Sequence, residues 1–173
     1  FPGDRGAKPM DLKVIFNRIK AAKERYFSDH NPVLICEPGR GLVADAFALV
    51  LRVKNMRPNG AVVLNDGIYG ALAEWRDMPP VHPRHITVFN PKGAERRGKP
   101  APRVIFGPTC DSLDRLSDPL ALPADIAEGD FVLIQGTGAY SAVLTSRFNG
   151  YGCAKQIFCT ALKSTSRHFQ VSG

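Results

Sequence analysis

A mainly β fold, opened by one helix–strand unit, is what the sequence predicts, and three observations carry that expectation. One amphipathic stretch stands near the start, at Leu12 to Phe27. Past Arg40 the texture changes to short apolar runs separated by Gly and Pro turns and polar loops. Beyond the first helix no other convincing amphipathic segment occurs. Many short strands with that punctuation imply an antiparallel sandwich or barrel.

The helix places Leu12, Ile15, Phe16, Ile19, Ala22 and Phe27 at approximately helical spacing, with Lys and Arg between them. Val33 to Cys36 follows Asn31-Pro32 as a short apolar run and predicts a buried strand. Val43 to Val53 is strongly apolar and suits a helix or a long strand equally. Ala61 to Leu64, Ile86 to Phe89, Val104 to Phe106 and Phe131 to Gln135 are further expected strands. Asp66-Gly67, within Asn65 to Gly70, is a hairpin signal. The proline-rich stretch Met78 to Pro102 predicts a long exposed connection around one strand. Gln156 to Leu162 suits a last strand and Lys163 to Gly173 a loose tail. The boundary between the two parts is expected near Gly39 to Leu42.

The 173 residues suffice for one medium domain, or a small domain plus a fragment, and 44% hydrophobic content can fill a core. No apolar run is long enough to span a bilayer, so no membrane role is expected. Phe1 to Pro9 is polar and rich in Gly and Pro, unlike a secretory leader. The net charge of +7 is dispersed. Its densest cluster, Lys92, Arg96, Arg97, Lys99 and Arg103, sits among Pro and Gly and reads as a solvated loop. It lacks the aromatic interleaving of single-strand binders, so no nucleic-acid partner is expected. Four cysteines without CxxC spacing argue against zinc and for free thiols in a reducing, cytoplasmic compartment.

Three segments have chemistry-bearing residues at the ends of expected strands. Glu37-Pro38-Gly39-Arg40 offers a carboxylate, a bare backbone position and a guanidinium. A carboxylate can keep a pyridine nitrogen protonated, and Gly with Arg suits a phosphate. Taken alone, the segment reads better as a tight turn with a surface Glu–Arg pair. Gly107-Pro108-Thr109-Cys110-Asp111-Ser112 puts a thiol beside an acid. The thiol can donate a proton and the acid can pair with an ammonium, but alone the segment reads as a buried Cys with an Asx-type turn. The adjacent carboxylate disfavours a thiolate nucleophile. Gly136-Thr137-Gly138-Ala139-Tyr140, followed by Phe148-Asn149-Gly150, suggests a loop presenting a hydroxyl to a phosphate, or an ordinary β-turn.

In their order and spacing these segments resemble the fold-type III, group IV decarboxylases that act on ornithine, lysine, arginine and diaminopimelate. The resemblance runs from Phe1 to about Gly152. The ornithine branch carries EPGR, NDGxYG, GPTCDxxD, GAY and FNG, matched by Glu37 to Arg40, Asn65 to Gly70, Gly107 to Asp114, Gly138 to Tyr140 and Phe148 to Gly150. Diaminopimelate decarboxylases usually have Cys-Glu where this chain has Cys110-Asp111.

The resemblance implies pyridoxal 5'-phosphate as cofactor. Glu37 would pair with the pyridine nitrogen, and Gly39, Arg40 and Tyr140 would hold the phosphate. Cys110 would reprotonate the α-carbon after carbon dioxide leaves. Asp111 would meet the distal ammonium of the amino-acid substrate, and Phe148 would line its pocket. The family's second substrate-binding acid follows NDGxYG, and Asp77 stands one residue short of the usual spacing. The fold implied is a C-terminal Greek-key-like β-barrel at 42–173, preceded at 1–41 by the last helix and strand of an incomplete TIM-like α/β barrel. Two copies would pair as a homodimer with shared active sites.

The implied reaction is decarboxylation of a basic amino acid, foremost L-ornithine to putrescine. Phe1-Pro2-Gly3 resembles the end of the family's GGGFPG loop, and the family's cofactor-bearing lysine precedes that point. The chain is therefore expected to be a fragment, inactive by itself. The alternative is a catalytically inactive decarboxylase-like binding or regulatory protein. A racemase-like cofactor carrier is a third reading, away from which GPTCD and FNG point.

Overall fold

The computed structural model describes residues 11–77, 85–152 and 154–159. The expected mainly β architecture is present. Helix α1 spans Leu12–Tyr26, and its N-terminus is capped by Asp11, whose carboxylate accepts from Lys13 N at 2.9 Å. None of its side chains is buried. Helix α2 (Gly39–Val43) and a 3-10 turn (Ala44–Ala46) lead into β1 (Ala48–Met56). Then follow β2 (Val62–Leu64), α3 (Ala73–Asp77), β3 (Ile86–Phe89), β4 (Pro100–Arg103), β5 (Ile105–Phe106), β6 (Leu120–Pro123) and β7 (Phe131–Gln135).

Five strands form one sheet in the order β3-β7-β1-β2-β5, and β4 pairs with β6 as a two-stranded ribbon. Pairing is antiparallel from β3 to β2, with Ala48 opposite Gln135 and Arg52 opposite Phe131 at the centre. Between β2 and β5 it is parallel, with Val62 opposite Ile105. The antiparallel expectation therefore fails at this one edge. A parallel pair needs a long crossover, and residues 65–104 supply it. Leu51 and Val53 of β1 point inward while Arg52 and Lys54 point out, the two-residue alternation of a sheet with one buried face. The core joins these side chains to Leu64, Val88, Ile105, Leu122, Val132 and Ile134, with Leu72 and Trp75 closing it from the α3 side.

Four sequence expectations need correction. Val33 to Cys36 is not a buried strand: it has no strand hydrogen bonding, and Val33 and Ile35 are 86% and 87% exposed. Its apolar run is right for a parallel strand, but no described strand lies beside it to take its backbone groups. Val43 to Val53 is neither one helix nor one strand, because the chain changes from helix to strand between Ala46 and Ala48. Asp66-Gly67 makes no hairpin among the described residues, because β3, the next described strand, pairs with β7 and not with β2. The Asp66 carboxylate instead folds back on its own turn, accepting from Gly67 N and Ala71 N at 2.8 and 3.0 Å. Strands β4 and β6 were not anticipated. Their prolines sit in a two-stranded ribbon, where missing donors are tolerated.

Gln156 to Cys159 carries no strand, and the rest of that expected element and the tail lie outside the described residues. The segment 78–84 of the proline-rich connection also lies outside them. Among the described residues no helix is long and apolar enough to cross a membrane, and no cluster of metal-ligating side chains occurs. Cys36, Cys110 and Cys159 are free, exposed thiols.

Candidate active-site edge

The parallel pairing of β2 with β5 has a direct consequence for the site. Parallel neighbours end on the same side, so the turns that leave them emerge together. The turn Asn65–Gly70 leaves β2, and the turn Gly107–Asp114 leaves β5. The buried carboxylate of Asp114, 1% exposed, fastens the two. One oxygen accepts from Ile68 N at 3.1 Å, and the other accepts from Thr109 N and Oγ1 at 3.0 and 2.8 Å. Gly67 and Gly107 make room for it, because a Cβ at either position would collide with that carboxylate.

This stitching sets Tyr69 beside Asp111. The Tyr69 hydroxyl donates to one Asp111 oxygen, and Leu113 N donates to the other at 2.8 Å. The loop after β7 closes on the pair. Ser146 donates through its N–H and its hydroxyl to the Tyr69 carbonyl, both at 2.8 Å. That anchor carries the 3-10 turn Phe148–Gly150, whose Phe148 ring lies 4.4 Å from the Tyr69 ring, centroid to centroid, at 34°. Asn149, held at φ +51°, donates from its amide to Cys110 Sγ at 3.4 Å. Cys110 is exposed, not buried.

The phenol and the carboxylate shift each other's titration. The hydrogen bond from Tyr69, then that from Leu113 N, hold Asp111 below its ordinary value of 3.8. Tyr69 is raised above 10.0, first by its bond to Asp111 and then by desolvation. Because the carboxyl is depressed, its contribution to stability is present above the ordinary range and is lost as pH falls through the depressed value. For the raised phenol, the contribution is present below 10.0 and is lost as pH climbs through the raised value. The contact therefore holds across the neutral range, with the proton on Tyr69 and the charge on Asp111.

A second cluster forms where β1 begins and β7 ends. These strands are antiparallel, so the segment before β1 lies against the segment after β7. Thr137 N donates to Phe47 O at 3.1 Å, and Gly138 N donates to Ala44 O at 2.9 Å. A Cβ on Gly138 would strike the Val43 carbonyl, so the close approach requires glycine. The approach brings Tyr140, at φ +66°, to Arg40, whose guanidinium carbon is 5.0 Å from the ring centroid. Glu74 on α3, 3% exposed, forms an ion pair with Arg40 from within the fold.

The expected site residues thus fall into two groups. Cys110, Asp111 and Phe148 meet around Tyr69 and Asn149, and Arg40 and Tyr140 meet beside Glu74. Glu37 is exposed just before α2, its carbonyl accepting from Gly39 N at 2.9 Å, and Gly39 has open space on its Cβ side. Asp77 ends α3, and its side chain lies outside the described residues. Sequence reasoning missed Tyr69, Asn149, Glu74 and Asp114. The signal for Tyr69 and Asp114 was inside NDGxYG and GPTCDxxD. Glu74 had no signal, because only the fold brings it to Arg40.

The donor chemistry of the second cluster suits a phosphate: a planar guanidinium beside a phenol, both partly exposed, next to an unhindered glycine. The first cluster offers an anion and a thiol side by side, which suits an ammonium-bearing substrate that also receives a proton.

Ornithine decarboxylase of Cricetulus griseus is 32% identical over 166 residues, covering 87% of this chain and 35% of that protein. The Paramecium bursaria Chlorella virus arginine decarboxylase superposes with a TM-score of 0.65 at 26% identity, covering 82% of this chain and 38% of that one. Lysine decarboxylase from Selenomonas ruminantium superposes with a TM-score of 0.62 at 28% identity, covering 88% and 39%. The chain spans about a third of the length of these relatives. The pyridoxal-dependent decarboxylase family's C-terminal sheet domain matches residues 15–138. Residues 15–138 cover more than half of the 173, and the chain belongs to that family.

Proposed function

We propose that this chain is the C-terminal part of a pyridoxal-phosphate-dependent decarboxylase that converts a basic amino acid, foremost L-ornithine, to its diamine. The observation that carries the reading is the meeting of Cys110 and Asp111 with Tyr69 and Phe148 on one exposed edge, remote in sequence from Arg40 yet built on the same sheet. Residues 1–41 would belong to the cofactor-binding α/β barrel and 42–173 to the sheet domain.

Pyridoxal phosphate, when bound, supplies an electron sink for the α-carbon as carbon dioxide departs. Arg40 and Tyr140, with the Gly39 backbone, would hold its phosphate, and Glu37 would keep its ring nitrogen protonated. Asp111 binds the distal ammonium of the substrate and sets its reach. Phe148 excludes water beside it. Cys110 delivers the proton to the α-carbon, its Sγ held by the Asn149 amide. The cofactor-bearing lysine would come from the N-terminal barrel. Two copies pair head to tail, so that the Cys110–Asp111 edge of one completes the Arg40–Tyr140 site of the other. The protein is assigned to the cytoplasm.

The test is turnover by the full-length protein with L-ornithine, L-lysine and L-arginine as separate substrates. Release of putrescine from ornithine with the highest kcat/KM supports the reading. Absence of turnover on all three overturns it in favour of a regulatory binding protein. In the same assay, Cys110→Ala is expected to lower kcat for diamine release about a hundredfold, the usual scale for loss of a positioned proton donor. Unchanged rate and product would remove Cys110 from that role.

A further inference from the structure

We infer that Tyr69 is the positioning residue of the substrate-side carboxylate: its hydroxyl fixes Asp111 in place, and its ring, packed on Phe148, joins the acid and the aromatic wall into one unit. The inference deepens the decarboxylase reading and rests on it.

The geometry of Asp111 is the first support. A carboxylate alone at a loop tip is free to rotate about χ1 and χ2. Here one oxygen accepts from the Tyr69 hydroxyl and the other from Leu113 N at 2.8 Å. Two donors, one on each oxygen, fix the plane of the group. Each oxygen keeps a further lone pair for an incoming ammonium. An acid pinned in this way presents its charge at one distance and one direction, which is what discrimination by chain length requires.

The anchoring of Tyr69 is the second support, since a positioning residue must itself be held. The main chain just before it is fixed by Ile68 N donating to the buried Asp114 carboxylate. Its own carbonyl accepts two bonds from Ser146. Its ring packs against Phe148 at 4.4 Å. Two other segments of the chain, the turn that ends at Asp114 and the loop that carries Ser146 and Phe148, therefore determine where the hydroxyl points. The charged groups around it are Asp111 and Asp114, which raise its titration, and Arg76 on α3, which lowers it. Their sum favours a neutral phenol donating to a charged carboxylate at neutral pH.

Tyr69→Phe isolates the hydroxyl, because the ring and its packing on Phe148 remain. In the full-length protein this variant should raise KM for a diamino acid about tenfold, equivalent to about 1.4 kcal/mol for one bond to a charged group. It should change kcat less than about threefold, because the proton donor is untouched. A direct readout independent of turnover accompanies the kinetics. The phenolate absorbance of Tyr69, taken as wild type minus Tyr69→Phe, should titrate above 10.0 and fall back toward 10.0 in Asp111→Asn.

Both results together support the inference. A Tyr69 titration that Asp111→Asn leaves unmoved overturns it, whether or not the protein is a decarboxylase. A Tyr69→Phe variant whose kcat drops as far as its kcat/KM, with a lowered Tm, also overturns it, because that pattern belongs to a packing residue. Coupled titration in a protein that turns over no basic amino acid sinks the decarboxylase reading, and the positioning role with it.

Discussion

Replacing Asp111 with Ala is expected to raise KM for ornithine by about thirtyfold or more. Removing one partner of a hydrogen-bonded charge pair is typically worth ~2–5 kcal/mol, and the lower end of that range gives the thirtyfold figure. The structure explains why the loss should fall on binding. Asp111 is tied to Tyr69 and to Leu113 N, and among the described residues neither bond involves the Cys110 thiol, which is held separately by Asn149. The penalty should therefore be far larger for substrates with a distal ammonium than for those without one. Asp111→Asn keeps the shape and an acceptor but loses the charge, so it should show a smaller rise with the same selectivity. Steady-state kinetics on both variants checks this. Equal loss for charged and uncharged substrates would show that Asp111 shapes the loop and does not read the ammonium.

Loss of Asp114 should have the largest effect on stability. Its carboxylate is 1% exposed and accepts three hydrogen bonds that join the turn after β2 to the turn after β5. Bonds to a charged group are worth roughly 1.5–3 kcal/mol each, and Asp114→Ala would also leave the N–H groups of Ile68 and Thr109 without an acceptor. A net destabilisation of about 3 kcal/mol or more is expected, read as a lowered urea midpoint with an unchanged m-value. Gly67→Ala and Gly107→Ala should go in the same direction, since each would push a methyl group into that carboxylate. A midpoint for Asp114→Ala within about 0.5 kcal/mol of wild type would contradict the stitching.

How far the sequence could be read follows from which interactions are local. Strands β3 and β7 and helix α1 were legible because their period is written in consecutive residues. The Cys110-Asp111 turn was legible because a strand and Gly107-Pro108 precede it. The Val33 to Cys36 run was read correctly as apolar and wrongly as buried. Hydrophobicity says what a segment can pair with, not whether a partner is beside it. Strands β4 and β6 were hidden by prolines, which weaken a strand signal without forbidding a two-stranded ribbon.

Asp66-Gly67 illustrates the opposite error. The dipeptide favours a hairpin, but the Asp66 carboxylate found donors within its own turn, and the chain ran on into α3 instead. Tyr69 could not be singled out, because its meaning comes from Asp111 and Ser146, forty-two and seventy-seven positions away. Glu74 is similar: its partner Arg40 lies thirty-four positions earlier. Motifs gave the candidate reactive groups, whereas the groups that hold them depend on which segments the parallel β2–β5 edge and the antiparallel β1–β7 pair bring together.

The central claim is that the Cys110–Asp111 edge and the Arg40–Tyr140 cluster serve one reaction when two copies assemble. Mixing two inactive full-length variants tests it most directly: Asp111→Ala with Cys110→Ala on one chain, and Arg40→Ala on the other. If each site takes one cluster from each copy, a two-fold mixed dimer contains one site with both lesions and one with none. Equal mixing should then restore about a quarter of wild-type activity, since about half the dimers are mixed and each has one intact site. Mixed dimers that form and remain inactive would contradict the account, because both clusters would then have to act within a single chain.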